Sequence, residues 1–295
     1  MVFSNFLSTS VTRSRLRANR IGKGFDKPYL TLNRYKNRTI LNYSPEEYWE
    51  DRLKSGFNLS RTGHIAFGEY YNAFLYKAKL RALERALSDQ QIDVRDRAIC
   101  DIGCGTGFFT DFYARRGAKN IVGIDIADTS VEKLSSKYSM YRFIRADVSV
   151  AELVATIGET FDIVNVFDIL YHIKDDVAWA QAIKNMSDLA VDKGVILISD
   201  RFGHKDIDAA AHVKFRSKIS YERTLAKNGV EIVATYPMYY LLNRNISVAG
   251  FLFAKGGLDH TLAPLYHLLY WLDGYLLSGE RNNMNLIVGR MNSNT

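Results

Sequence analysis

A chain of 295 residues with 47% apolar content is long enough for one α/β domain with additions and can bury a sizeable core, which excludes a disordered or fibrous polypeptide. The formal charge of +7 invites a nucleic-acid partner, but residues 1–40 hold nine Lys/Arg against Asp26 alone, so the rest of the chain sums to about −1 and the basic character belongs to an N-terminal arm. Two cysteines, Cys100 and Cys104, can neither build a disulfide framework nor fill a zinc site, and no stretch approaches the roughly 20 uncharged apolar residues that span a bilayer.

These features describe a reduced, cytoplasmic protein whose nucleic-acid binding, if any, is confined to the arm. That arm is poor in acid and carries Arg and Ser, which also suits an organellar transit peptide in a eukaryotic source. Residues 1–40 show little periodicity and read as a flexible basic arm.

Ser44-Pro45-Glu46-Glu47 has the form of a helix N-cap, a first-position proline and first-turn acids, and predicts a helix over about 45–54. A longer helix is expected over about 69–87, with Phe74, Leu75, Ala78, Leu80, Leu83 and Leu87 as its apolar stripe. Together, residues 41–92 read as a helical lid in which Tyr70, Tyr71 and Asn72 could cover a ligand. Strands and helices then alternate: strand 98–102, helix 108–116, strand 120–124, helix 130–138, strand 141–145, helix 150–157, strand 161–167, helix 175–190, strand 195–200, a helical region over about 209–227, and strand 230–236 ended by Pro237. Repeated βα units with near-continuous apolar strands imply a parallel sheet with helices on both faces, here over a core of about 93–245. Residues 246–280 break the rhythm with a run of large apolar and aromatic side chains interrupted by Asp259, His260, His267 and Asp273. They read as a helical insert, serving as substrate cap, extra core or dimer surface, or, with the basic arm, as a peripheral membrane face. A last strand, 285–290, lies in the closing segment 281–295.

The chemistry centres on Asp101-Ile102-Gly103-Cys104-Gly105-Thr106-Gly107, a buried strand turning sharply into a helix. Glycines let a ligand lie against bare backbone, and the helix start offers unpaired N–H groups, so a nucleotide-type cofactor is expected at this turn. Acids recur at or just after successive strand ends: Asp101, Asp125, Asp147, Asp168 and Asp200. A dinucleotide fingerprint needs a small residue where Phe108 stands, and a Walker loop needs Gly-Lys-Ser/Thr, which is absent.

Four stretches resemble the motifs of class I S-adenosylmethionine-dependent methyltransferases of the small-molecule type: the turn at 101–107, Ile124-Asp125-Ile126, Arg145-Ala146-Asp147-Val148, and 162–172 ending Phe167-Asp168-Ile169-Leu170-Tyr171-His172. The resemblance is close over about 95–200. It implies a Rossmann-like α/β fold with a seven-stranded, mostly parallel sheet. It also implies S-adenosyl-L-methionine as methyl donor, with S-adenosyl-L-homocysteine as product, held by Asp101, Gly103, Cys104, Gly105, Gly107, Asp125, Ile126, Asp147, Val148, Phe167, Asp168 and Tyr171. In this pattern Asp125 accepts from the ribose hydroxyls and Asp147 from the adenine amine, while Asp101 orients the glycine turn and helps hold the methionyl ammonium.

His172, after the fourth strand, and His204, after the fifth, are the candidate catalytic bases, since neutral imidazole suits removal of a hydroxyl proton. No metal is expected, because Asp200 is followed by Arg201 where catechol-type enzymes carry Asp-Asn. The acceptor is expected to be a small hydrophobic or ring-containing molecule methylated at oxygen, on a monomer or homodimer. Alternatives are a sugar or lipid-linked acceptor, RNA methylation using the arm, or a methyltransferase-like subunit without catalysis.

Overall fold

The computed structural model describes residues 43–64, 67–242, 259–277 and 284–293. The expected arm therefore lies outside the described residues, as do 246–258 and 278–280 of the aromatic insert. Strand β1, Ala98–Ile102, is the centre of the sheet; it pairs in parallel with β2, Asn120–Asp125, on one side and with β4, Phe161–Phe167, on the other. β3, Arg142–Arg145, extends the β2 side, and β5, Ala190–Asp200, the β4 side, both parallel. The last strand, β9 (Met284–Met291), inserts antiparallel between β5 and β8 (Val230–Tyr239), giving the order β3-β2-β1-β4-β5-β9-β8. This is the seven-stranded, mostly parallel α/β fold expected from the sequence.

Both faces of the strands are covered, which is why they lack polar alternation. Ile99, Ile163 and Leu197 point to one core, where helix α3, Glu69–Asp89, contributes Leu75, Leu83 and Leu87. Their sequence neighbours Cys100, Val164 and Ile198 point to the other, with Trp179, Ile183 and Met186 of α7, Asp176–Asp188, and Leu225 of α8, Lys218–Lys227. The remaining helices of the alternation are α4, Phe108–Arg115, α5, Asp128–Lys137, and α6, Leu153–Ile157. Both cysteines are free and buried, as packing residues.

Ahead of the sheet, α1, Pro45–Lys54, starts as anticipated: the Ser44 hydroxyl accepts from the Glu47 amide and Pro45 takes the first turn. Glu50 of α1 accepts from the Thr129 amide (3.0 Å) and hydroxyl (2.9 Å), pinning α1 to the start of α5. Arg52 donates to the carbonyls of Ser60 and Gly63 around the short helix α2, Leu59–Thr62. These contacts lay α1 across the carboxyl ends of the strands.

Three expectations need correction. Residues 207–215 are a hairpin, β6 (Ile207–Ala210) and β7 (Val213–Phe215), and only Lys218–Lys227 is helical; the Ala-rich composition of 209–211 favours a helix locally, but cross-strand pairing overrides it. β8 continues through Pro237 to Tyr239, because it is an edge strand and a register shift beside Pro237 spares the missing donor. Tyr71 and Asn72 are buried and do not lid anything: Asn72 clamps the preceding loop through the amide and carbonyl of His64 and the carbonyls of Phe67 and Gly68.

The described part of the insert forms α9, Ala263–Leu276, which packs along α3 through Arg81 to the Tyr270 carbonyl (2.9 Å) and ring. Just before α9, Asp259 accepts from the Tyr70 and Tyr71 amides, supplying a negative charge to an α3 N-terminus whose own cap residue is Gly68. Among the described residues no helix is long and apolar enough to cross a membrane, and no group of three His, Cys, Asp or Glu side chains could hold a metal ion.

Candidate active site

β1 and β4 lead away to opposite sides of the sheet, and a cavity of about 360 Å³ opens beyond the carboxyl ends of β1, β2 and β4 at that divergence. Its floor is the glycine turn. The Gly103 and Cys104 amides both donate to the Ile124 carbonyl (2.7 and 3.1 Å), tying the turn to β2. Gly103 has φ +73°, and a Cβ there would stand 2.1 Å from Ile169 Cδ1; at Gly105, φ +52°, it would meet Thr62 Cγ2 at 2.9 Å. Only bare backbone fits between β1, the Ile169 segment and the α2 loop.

Around this floor stand side chains from three strand ends. Asp125 accepts from the Gly105 amide (2.7 Å) through one oxygen and from the Ala127 amide (3.0 Å) through the other. Burial raises its pKa, against these amides, which favour the charged form. Asp147 uses Oδ1 for the Ser149 amide and hydroxyl (2.8 and 2.7 Å), and among the described residues no donor reaches Oδ2. Ile126, Val148 and Phe167 complete the apolar wall.

Asp168 follows with φ +62° and is bonded to the Ser199 hydroxyl. Its carboxylate forms an ion pair with Lys79, a fully buried residue of α3. Burial, the largest single influence, would push the Lys79 ammonium down, but the Asp168 charge, Tyr76 and the hydrogen bond to Asp168 together outweigh it and its pKa is raised. The Lys79 ammonium also lies 4.0 Å from the centre of the Tyr76 ring. Tyr76 lines the cavity and donates to Thr62 Oγ1 (2.9 Å).

His172 ends a short 3₁₀ turn, Leu170–His172, in the cavity wall. Its Nδ1 lies 3.2 Å from the His212 carbonyl, a group that only accepts hydrogen bonds. Burial, then the neighbouring His212, pushes the His172 pKa down to about 4. Facing it across the cavity mouth are Tyr43, Pro45, Trp49 and Leu53 from α1 and the residues before it. The Trp49 ring meets His172 edge-on with centroids 5.1 Å apart.

The structure thus brings Gly103, Gly105, Asp125, Ile126, Asp147, Val148, Phe167, Asp168 and His172 to one cavity. Other expected site residues lie elsewhere. Asp101 is 1% exposed, with its carboxylate held by the Thr110 hydroxyl (2.7 Å) and the Asn165 amide (2.8 Å), so it braces β1 against α4 and β4 outside the cavity lining. Cys104 packs with Leu134 and Phe143, and a Cβ on Gly107 would strike Leu134 at 2.5 Å, so both serve packing beneath the turn. The Tyr171 ring packs on Phe215 and His172 behind the wall. His204 is exposed on the loop after β5 and outside the cavity lining. Asp200 is buried, accepting from the Tyr221 hydroxyl and the Arg201 amide.

Sequence reasoning missed Tyr43, Trp49, Thr62 and Tyr76 in the wall, and Lys79 and His212 behind it. The aromatic content of 43–49 was the one available signal. The expected aromatic wall came from the insert; among the described residues no insert side chain lines the cavity, and α1 supplies those rings instead.

The buried acids carry a pH signature. Burial pushes Asp200 up to about 7 and Asp101 up to about 6 from an ordinary 3.8. A folded value above the unfolded one means stability that is complete below the unfolded pKa and lost as pH rises through the folded pKa. His64 and His172, pushed down to about 4 by burial, act oppositely, losing stability as pH falls from 6.5. Asp200→Asn isolates the first effect: relative to this variant, the wild-type urea midpoint is expected to fall as pH rises from about 5 to about 8. A difference constant over that window would refute it.

A sequence model described as a methyltransferase domain matches residues 99–194. Among curated proteins, the ubiquinone biosynthesis O-methyltransferase of Neisseria meningitidis serogroup C (strain 053442) is 31% identical over 101 residues, covering 33% of this chain and 42% of that protein. The protein of the same name from Bartonella quintana (strain Toulouse) is 39% identical over 79 residues, 26% of this chain and 31% of that one. The match thus spans less than half the length of these relatives. Magnesium protoporphyrin IX methyltransferase from Synechocystis PCC 6803 shares the fold with a TM-score of 0.52 at 14% identity, over 83% of this chain and 94% of that one. Strand order, glycine turn and sequence match point the same way: residues 99–194 match a methyltransferase domain, and the chain shares its seven-stranded α/β fold with the Synechocystis methyltransferase.

Proposed function

We propose that this protein transfers the methyl group of S-adenosylmethionine to an oxygen of a small, hydrophobic or ring-containing acceptor. The observation that carries the reading is the convergence of Gly103, Gly105, Asp125, Asp147 and His172 on one cavity. The cavity's donor and acceptor chemistry fits the cofactor. Asp125 has spent one acceptor position of each oxygen on a backbone amide, which leaves lone pairs for paired ribose hydroxyls. Asp147 Oδ2 suits the adenine amine, and Ile126 and Val148 supply apolar contact for the ring. When bound, the sulfonium supplies an electrophilic methyl group.

The chain's own contribution is to position the acceptor, exclude water and take up a proton. α1 covers the strand ends, and Tyr43, Trp49 and His172 offer ring surfaces to an acceptor. The lone pair on His172 Nε2 can receive a hydroxyl proton, which favours methylation at oxygen; the names of the curated relatives support the same choice.

The test combines binding and product. Calorimetric titration with S-adenosylhomocysteine should show binding, and Asp125→Ala should weaken it by about 10- to 100-fold, since hydrogen bonds to a charged acceptor contribute roughly 1.5–3 kcal/mol each. Mass spectrometry of hydroxylated ring compounds incubated with enzyme and S-adenosylmethionine should then reveal O-methyl products. Cofactor binding without any methyl product from such a panel would point to a subunit without catalysis, and the absence of cofactor binding would overturn the reading altogether.

A further inference from the structure

The hairpin β6–β7 is absorbed by neither the cofactor contacts nor the sheet. It leaves the chain after β5 and returns before α8, and its two-residue turn, Ala211-His212, reaches back to the 3₁₀ turn that holds His172. Ion pairs hold it there: Lys174 to Asp208 (3.1 Å), with Lys174 also donating to the Ala210 carbonyl, and Lys214 to Asp176 (2.7 Å). Immediately after it, the buried Arg216 binds Asp176 and the carbonyls of Ile173, Lys174 and Asp175, fixing the segment that follows His172. The His212 ring lies parallel to that of His172, 5° apart in plane with centroids at 5.8 Å, and Tyr48 of α1 packs on the His212 ring with centroids 5.2 Å apart.

We propose that this hairpin is a positioning element for the base: the His212 carbonyl at its turn holds His172 in the Nδ1–H tautomer, so that Nε2 keeps the lone pair that accepts the hydroxyl proton. This rests on the methyl-transfer reading above. The physical basis is that an imidazole beside a fixed carbonyl must donate to it from the nearer nitrogen, and a neutral ring has one proton to give. Another tautomer would leave the His212 carbonyl facing a lone pair and would place an N–H where a proton acceptor is needed. His212 acts through its backbone, so the effect belongs to the hairpin's position and not to the His212 side chain. The titratable and charged groups facing His172 are His212 of the hairpin, Asp168 after β4, Arg52 of α1 and the adjoining Tyr171.

The test is imidazole nitrogen NMR on the full chain with S-adenosylhomocysteine added, the His172 signals being assigned by their loss in His172→Gln. The wild type should show, near neutral pH, a protonated Nδ1 and an unprotonated Nε2. His212→Ala keeps the carbonyl and should keep this pattern. Replacing residues 209–214 by Gly-Gly removes the carbonyl and should release the constraint, so that Nε2 becomes protonated in part or in full. A wild-type spectrum with Nε2 protonated overturns the proposal by itself, whether or not the shortened variant folds; so does a folded hairpin deletion that keeps the wild-type pattern. Absence of S-adenosylhomocysteine binding to the wild type would instead overturn the methyl-transfer reading and the role given to Nε2, while the tautomer pattern still decides what the hairpin does.

Discussion

Lys79→Met is expected to destabilise the fold by about 3–5 kcal/mol, read as a lower urea midpoint at unchanged slope. Lys79 is 2% exposed, and its ammonium sits against the Asp168 carboxylate at the end of β4. Taking two charges out of water is costly, and their mutual attraction offsets that cost only while both are present. Methionine keeps most of the volume but leaves the Asp168 carboxylate with the Ser199 hydroxyl and no cation, on backbone already held at φ +62°. The second substitution is diagnostic. Lys79→Met with Asp168→Asn removes both charges and should recover most of the loss, because a neutral pair of similar shape carries no uncompensated charge. A single variant as stable as wild type, or a double variant no better than the single, would show that the pair contributes little.

His172→Ala is expected to lower kcat by about 10²- to 10⁴-fold, the usual range for loss of a positioned general base, while S-adenosylhomocysteine binding stays within a few-fold of wild type. Its pKa near 4 keeps the imidazole neutral from mildly acidic to alkaline pH. The wild-type rate should therefore hold level as pH falls toward about 5 and decline only as the folded pKa is approached, in contrast to a base with the ordinary value of 6.5. The same depression makes His172 a modest proton acceptor, so proton transfer must accompany attack of the oxygen and cannot run ahead of it. Turnover of His172→Ala equal to wild type at saturating acceptor, across pH, would remove the assignment and leave positioning and water exclusion as the whole of the chain's contribution.

The parts of this architecture that were legible in the sequence are those encoded by local pattern. A buried strand, a glycine turn and an aromatic helix follow one another over 98–113, and the positions of Asp125, Asp147 and Asp168 at strand ends follow from the βα alternation. What could not be read is what tertiary packing decides. Lys79 looks like any polar residue on an amphipathic helix, and nothing local says that it faces a carboxylate 89 positions away. Asp101 and Asp200 share the strand-end position of the other acids, yet their side chains turn into the two cores, where Thr110, Asn165 and Tyr221 satisfy them. Ala209-Ala210-Ala211 favours a helix by intrinsic preference and was overruled by the pairing of Ile207 with Phe215. The hairpin's link to His172 was invisible for the same reason, since it depends on a carbonyl brought in from 40 residues downstream.

The place of β9 has a consequence for how the chain is made. Every other described strand of the sheet precedes β9 in the chain, and β9 lies between two of them. The half of the sheet that carries the cavity, β3-β2-β1-β4-β5, can assemble early from neighbouring βα units. β8 cannot join it, because among the described residues its pairing is with β9 alone. Until Met284–Met291 arrives, the outer edge of β5, with Leu197 and Ile198, has no partner and is open to pairing with another chain. In the finished sheet the eight-residue strand β9 covers the edge that β5 would otherwise present.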